Sequence, residues 1–267
     1  MPKHTIPETI TFKSLKLKNT KGLNLDVNLY LSSMNSSKFI IFSTAFARYI
    51  DYTTIYRSFA QKAANAGYNT ILYSFTGTGK SEGLFSEIDL NDQKNDLITI
   101  INFVRNEKQN ARICLVGHSL GATTSILAYA QNVENGFNDI DAIMTWNSTI
   151  ITKGLYARYK DHYSNSNNVT KDHELYLTGE HTSSGRAMWE SFGKIDSISE
   201  LKKITVPIFA MFGEEDEPQK SEYTRQILDS IPNSSYKMIS GLDHEFTIRG
   251  SQEKVIKASL DWLKEHF

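Results

Sequence analysis

A serine attacks a carbonyl carbon effectively only when a base takes its proton and an acid holds that base in place. The chain contains Gly117-His118-Ser119-Leu120-Gly121, a G-x-S-x-G pattern. It directly follows the apolar run Ile113-Cys114-Leu115-Val116 and directly precedes a helical run. Strand, tight turn and helix form the context in which this pattern carries chemistry. The turn is so sharp that the neighbours two positions away have to be small. Its strain exposes the hydroxyl at the tip, where the N-terminus of the next helix favours developing negative charge. The plainer alternative, an incidental serine in a glycine-rich turn, does not account for that context.

Seven histidines are available as the base. His4 and His266 lie near the ends, and His162, His173 and His181 lie in a stretch without strand character. His118 sits inside the turn, where its side chain points away from that of the serine. His244 remains, in Ser240-Gly241-Leu242-Asp243-His244-Glu245-Phe246, after the strand expected at 236–239 and before the last helix. The orienting acid is expected on Glu214-Glu215-Asp216-Glu217-Pro218, which follows a buried run. We select Asp216, three residues after Gly213 and two before Pro218, with Glu214, Glu215 and Glu217 as alternatives. The order Ser119, Asp216, His244 is nucleophile, acid, histidine, as expected of an elbow-type fold.

Several elements must hold these residues. Ile10, Phe12, Leu15 and Leu17, then Leu23, Leu25, Val27 and Leu29, alternate on either side of Asn19-Thr20-Lys21-Gly22 and predict a β-hairpin. The short apolar runs 39–42, 70–73, 113–116, 140–144 and 208–212 predict strands buried on both faces, as in a mostly parallel sheet. Helical spacing appears between them: Ile55, Phe59, Ala63 and Ala66; then Leu90, Leu97, Ile98, Ile101 and Val104 with Asp89 as N-cap; then 120–131, 222–228 and 255–263. This alternation predicts a three-layer α/β domain. From 147 to 200 no clear buried strand occurs, although Tyr156, Tyr159, Tyr163, Tyr176, Trp189 and Phe192 fall there beside the polar patch Asn165-Ser166-Asn167-Asn168. A structureless loop of that length is disfavoured, so the expected organisation is a core of 1–146 and 201–267 with a lid of 147–200.

Composition excludes several classes. Lys plus Arg is 29 and Asp plus Glu is 30, a net charge of −1; a nucleic-acid-binding domain is normally strongly basic. The single cysteine, Cys114, excludes an internal disulfide and a multi-cysteine zinc site. No apolar run marks a signal peptide, and none approaches the roughly 20 residues of a membrane helix. A cytoplasmic protein without stable membrane insertion is expected. Gly79-Lys80-Ser81 has the tail of a phosphate-binding loop, but Ser74 occupies the position of its first glycine, and the dinucleotide fingerprint fails as well. Gly77, Gly79, Gly83, Gly117, Gly121, Gly213 and Gly241 fall on four loops after strands, at the edge where a parallel sheet binds ligands.

These residues resemble the α/β-hydrolases, and within them small bacterial esterases and lysophospholipase-like or serine-aminopeptidase-like members. Phe75-Thr76-Gly77-Thr78-Gly79-Lys80-Ser81-Glu82-Gly83 is similar to that group's loop after the fourth strand, commonly D-x-x-G-x-G-x-S-x-G, with Ser74 where the aspartate usually stands. The resemblance covers nearly the whole chain and is interrupted in the lid. It implies an eight-stranded, mostly parallel sheet with an antiparallel first pair. It also implies an oxyanion hole of two backbone N–H groups, from Leu120 and from the loop after 39–43. That loop reads Thr44-Ala45-Phe46 where the family usually has His-Gly, which maps the second donor to Phe46. The stretch Phe46-Ala47-Arg48-Tyr49-Ile50-Asp51 resembles the corresponding loop of the acyl-carrier-protein thioesterase/acyltransferase of bacterial bioluminescence.

The expected activity is hydrolysis of carboxylic esters or thioesters through an acyl-serine, with a small-molecule substrate and no metal or cofactor. Arg48, Tyr156 and Trp189 are the candidate substrate contacts, Arg48 for an anionic substrate group, with a surface charge as its alternative reading. The alternatives are acyl transfer or thioester cleavage on carrier-bound acyl groups, an aminopeptidase-like hydrolase, and a non-catalytic binding protein on the same scaffold. Only the Thr44-Ala45 departure favours the last. The oligomeric state is left open.

Overall fold

Strands covered on both faces bury alternate side chains in opposite directions. Ile40 and Phe42 join one apolar cluster while Phe39 and Ile41 join another, and Val116 and Leu115 divide in the same way. The computed structural model describes residues 10–165, 175–176, 183–216 and 218–267. In chain order the elements are β1 (Ile10–Lys18), β2 (Asn24–Ser32), β3 (Lys38–Ser43), α1 (Thr54–Asn65), β4 (Asn69–Tyr73), α2 (Leu90–Glu107), β5 (Arg112–His118), α3 (Leu120–Glu134) and β6 (Ile140–Trp146). There follow α4 (Thr152–Asn165), β7 (Leu175–Tyr176), β8 (Ser183–Ser184), α5 (Arg186–Lys194), α6 (Ser197–Leu201), β9 (Ile208–Gly213), α7 (Pro218–Leu228), β10 (Ser234–Ile239) and α8 (Ser251–His266).

The main sheet has eight strands in the order β1-β2-β4-β3-β5-β6-β9-β10. β1 pairs antiparallel with β2, and β2 antiparallel with β4; the pairings from β4 onward are parallel. This is the expected three-layer arrangement. Ile55, Tyr56 and Phe59 of α1 pack with Val255, Trp262 and Leu263 of α8 on one face. Leu97, Ile100 and Val104 of α2, Ile126 of α3 and Leu228 of α7 pack on the other. The last two helices begin earlier than their apolar spacing indicated, because their first turns are polar: α7 at Pro218 and α8 at Ser251.

Asp89 caps α2 as its sequence position predicts. Its carboxylate accepts from the Asp92 N–H (2.9 Å), and the Asp92 carboxylate accepts in return from the Asp89 N–H (3.1 Å). Such a reciprocal box supplies about 1 kcal/mol. Between 147 and 200 the described elements are α4, the antiparallel pair β7–β8, α5 and α6. α6 crosses the boundary expected at 200, and its Leu201 is buried in the same cluster as α2 and α3. His4, residues 166–168, His173, His181 and Glu217 lie outside the described residues, as do the side chains of Tyr159, His162, Tyr163 and Tyr176. Among the described residues no helix is long and apolar enough to cross a membrane, and no three metal-ligating side chains form a cluster.

One buried polar knot fixes the glycine loop after β4. Asp96, on α2, accepts from the Thr76 N–H (2.8 Å), the Thr76 hydroxyl (3.1 Å) and the Asn19 amide (2.8 Å). Burial pushes the Asp96 carboxyl above its usual range despite these donors. Replacing Asp96 with alanine leaves those donors unpaired in the interior. Asp96→Ala is expected to lower stability by about 2–3 kcal/mol, read as an earlier midpoint in urea unfolding with an unchanged slope.

Candidate active site

The β5–α3 turn is set by close backbone approach. Ser119 stands between the two elements at φ 53°, ψ −116°, a region that strains a residue bearing a side chain. Its N–H donates to the Trp146 carbonyl of β6 (2.9 Å), so the serine continues the sheet pairing of β5. A Cβ on Gly117 would lie 2.3 Å from the Gly121 carbonyl oxygen. A Cβ on Gly121 would lie 2.3 Å from the carbonyl oxygen of Ser43, at the end of β3. Neither position has room for a larger residue. Leu120 opens α3, so its N–H is among those with no partner inside the helix.

The loops after β9 and β10 bring two further groups to this turn. The His244 Nε2 lies 3.0 Å from the Ser119 Oγ, and its Nδ1 lies 2.9 Å from the Asp216 Oδ2. An ionised carboxylate only accepts, so the Nδ1–H donates to Asp216 and Nε2 is left to accept from the serine hydroxyl. Of the other carboxylates on the loop, Glu214 and Glu215 are exposed. Their N–H groups donate to the Ile239 and Leu242 carbonyls (both 3.1 Å), which ties the acid loop to the base loop. Gly213 allows this: a Cβ there would lie 2.0 Å from the Leu242 oxygen.

His118 points away from Ser119 into the core, as its place in the turn predicts. It is fully buried, and burial lowers its pKa to about 3. The neutral ring donates from Nε2 to the His244 carbonyl (2.9 Å), and its Nδ1 accepts from the Tyr56 hydroxyl (2.7 Å). Tyr56 in turn accepts from the Ala45 N–H. One buried chain of hydrogen bonds thus links the loop after β3 to the loop that carries His244.

The comparisons with known proteins agree with this architecture. A family model described as serine aminopeptidase, S33, matches residues 43–163. That stretch includes Ser119 and excludes Asp216 and His244. No curated protein matches the chain. Solved structures match along nearly all of it. Est1E from Butyrivibrio proteoclasticus, with ferulic acid bound, aligns over 94% of this chain and 98% of its own at 18% identity, with a TM-score of 0.79. Alpha/beta hydrolase domain-containing protein 10 from mouse aligns over 95% and 99% at 17% identity, with a TM-score of 0.75. An esterase of Pyrococcus furiosus aligns over 100% and 95% at 16% identity, with a TM-score of 0.71. The chain has the α/β-hydrolase fold.

Within this fold, Ser119 and His244 open onto a cavity of about 170 Å³ walled by Phe46, Leu120, Leu155, Trp189 and Phe192. The aromatic walls support one another. Phe46 meets Phe85 edge-on at 5.3 Å between ring centres, and Trp189 meets Phe192 edge-on at 5.4 Å. Of the candidate substrate contacts, Trp189 lines the cavity and the other two do not. Tyr156 packs against this aromatic cluster beside Gly193. Arg48 pairs with Glu245 (3.3 Å) and lies over the Tyr52 ring at 4.0 Å. Phe46 is placed at the cavity by its side chain, in a loop closed by the Arg48 N–H to the Ala45 carbonyl (3.0 Å).

Sequence reasoning missed Thr149. Its hydroxyl lies 3.3 Å from the Ser119 Oγ, and the residue lines the cavity. The only sequence signal for it is its position just past a strand end at the ligand edge of the sheet. Sequence reasoning also missed Tyr56, which lies beside Ile55 on the buried side of α1.

The His118 arrangement has a measurable consequence. The unfolded chain takes up a proton at this ring near pH 6.5, and the folded chain refuses it until about pH 3. Between those values the unfolded state binds more protons, so this ring lowers stability as pH falls, by about 1.4 kcal/mol per pH unit. NMR titration of the His118 ring is expected to show a neutral imidazole from pH 7 to pH 4. A ring that protonates near 6.5 contradicts the buried chain.

Proposed function

We propose that this protein is a serine hydrolase that cleaves carboxylic esters or thioesters of small acids through an acyl-serine intermediate. The observation that carries this reading is the hydrogen-bonded line Ser119–His244–Asp216 at the tip of the β5–α3 turn, facing an apolar cavity. In this reading Ser119 Oγ attacks the carbonyl carbon and His244 Nε2 takes its proton. Asp216 holds the ring and stabilises the imidazolium. The N–H groups of Leu120 and Phe46 receive the oxyanion. His244 then gives the proton to the leaving alkoxide or thiolate. Water, activated by the same ring, hydrolyses the acyl-serine and regenerates the hydroxyl.

The aromatic walls formed by Phe46, Trp189 and Phe192 and the modest volume of the cavity favour a flat or short acyl group over a long chain. The structural likeness to Est1E with ferulic acid bound, and to an esterase, is compatible with that choice. Within the chain, residues 147–200 supply Thr149, Leu155, Trp189 and Phe192 to the cavity, which fits the proposed role of this segment as a lid.

The test is a panel of p-nitrophenyl esters from acetate to long-chain acids, with an aryl ester and an acyl-CoA thioester beside them. Turnover is expected to be highest for short or aryl acyl groups. Ser119→Ala is expected to lower kcat by about 10⁴-fold or more. Absence of turnover across the panel, or an undiminished Ser119→Ala, contradicts the proposal.

A further inference from the structure

The base loop and the acid loop leave different strands, yet their side chains meet with hydrogen-bond accuracy. A third residue joins them. Asn147 follows the last residue of β6, is 1% exposed, and has φ 43°. This left-handed backbone suits asparagine better than most side chains. Its own N–H donates to the Met211 carbonyl of β9 (2.8 Å). Its side-chain Oδ1 accepts from the Gly213 N–H (2.8 Å), three residues before Asp216. Its Nδ2 donates to the Asp243 carbonyl (3.0 Å) and to the His244 carbonyl (3.2 Å). The orientation of the amide is dictated, because a backbone N–H only donates and a carbonyl only accepts. Two N–H groups meet two carbonyls, and the oxygen meets the remaining N–H.

We infer that Asn147 is a positioning residue of this site, whose carboxamide clamps the loop bearing Asp216 to the loop bearing His244. The His244 carbonyl is also held by His118 Nε2 at 2.9 Å. That bond fixes the base loop to β5 and leaves the acid loop untouched. Asn147 grips both, and adds a side-chain bridge to the backbone bonds that Glu214 and Glu215 make between the loops. Loss of the carboxamide leaves the loops joined by the backbone bonds of Glu214 and Glu215 but removes the bridge beside Gly213 and His244, so Asp216 and His244 can shift relative to each other by a fraction of an ångström. A misplacement of about 1 Å in a reacting constellation costs on the order of 100-fold in rate. The catalytic consequence rests on the serine hydrolase reading; the hydrogen bond between His244 and Asp216 can be tested without it.

Two variants separate the halves of the clamp. Asn147→Gly removes the carboxamide and accepts the left-handed backbone, so the fold is retained. Asn147→Asp keeps an acceptor for Gly213 but turns an oxygen toward the Asp243 and His244 carbonyls. With p-nitrophenyl acetate, kcat is expected to fall about 10- to 100-fold in both, with KM within about twofold and the far-UV circular dichroism unchanged. The low-field proton resonance of the His244 Nδ1–H, assigned by its loss in His244→Ala, is expected to weaken or vanish in both. A folded variant that keeps wild-type kcat and the resonance overturns the inference. So does a fall in kcat with the resonance intact, because the bond between base and acid is then not what moved. Wild-type protein that shows the resonance but turns over no ester contradicts the hydrolase reading alone, and the clamp is then decided by the resonance.

Discussion

The contact on which this site depends is a backbone-to-backbone one. α3 can begin directly after β5 only if Gly121 lies against the carbonyl of Ser43 and Gly117 lies against Gly121, at distances that no Cβ permits. This packing forces Ser119 into a positive-φ conformation that costs on the order of 1–3 kcal/mol. The parallel pairing of β5 with β3 on one side and β6 on the other holds the turn in that state. The strained turn sets the height of the serine above the sheet edge. That height decides which loops can reach it.

The apolar clusters on the two faces of the sheet build the platform, but they do not place the loops. Buried polar pairing does. Asp96 with Thr76 and Asn19 fixes the glycine loop, Tyr56 with His118 links the loop after β3 to the base loop, and Asn147 spans the loops after β9 and β10. An unpaired polar group in such surroundings is costly, so each network is held to one geometry. Hydrophobic contact is tolerant of small shifts by comparison. A constellation that must agree to within half an ångström is therefore anchored by directional bonds rather than by packing alone.

The parts of this protein that were legible in its sequence are those whose cause is local. The alternation of Leu23, Leu25, Val27 and Leu29 marks a strand, the apolar run 113–116 marks a doubly buried one, and Asp89 before Leu90 marks a helix start. The G-x-S-x-G turn carries its own steric explanation. Asp216 was one of four neighbouring carboxylates, and nothing in the spacing alone separates them. What separates Asp216 from Glu214 and Glu215 is the packing of Gly213 on Leu242, a contact between loops 29 residues apart in sequence, which leaves Asp216 beside the ring of His244. Asn147 and Thr149 were invisible for the same reason: their partners are brought to them by β9 and by the turn after β5. Arg48 reads in the sequence as a surface charge or a contact to an anionic substrate group; the fold sets it beside Glu245 and over the Tyr52 ring, partners that no local pattern announces.

The central claim is that Ser119 is a nucleophile activated by His244, and its reactivity toward a fluorophosphonate tests this most directly. Intact-mass spectrometry followed by peptide mapping reads the result. A single adduct on Ser119 that is absent from Ser119→Ala and strongly slowed in His244→Ala is the predicted outcome. Native protein that takes up no label, or that labels equally in Ser119→Ala, would contradict the account.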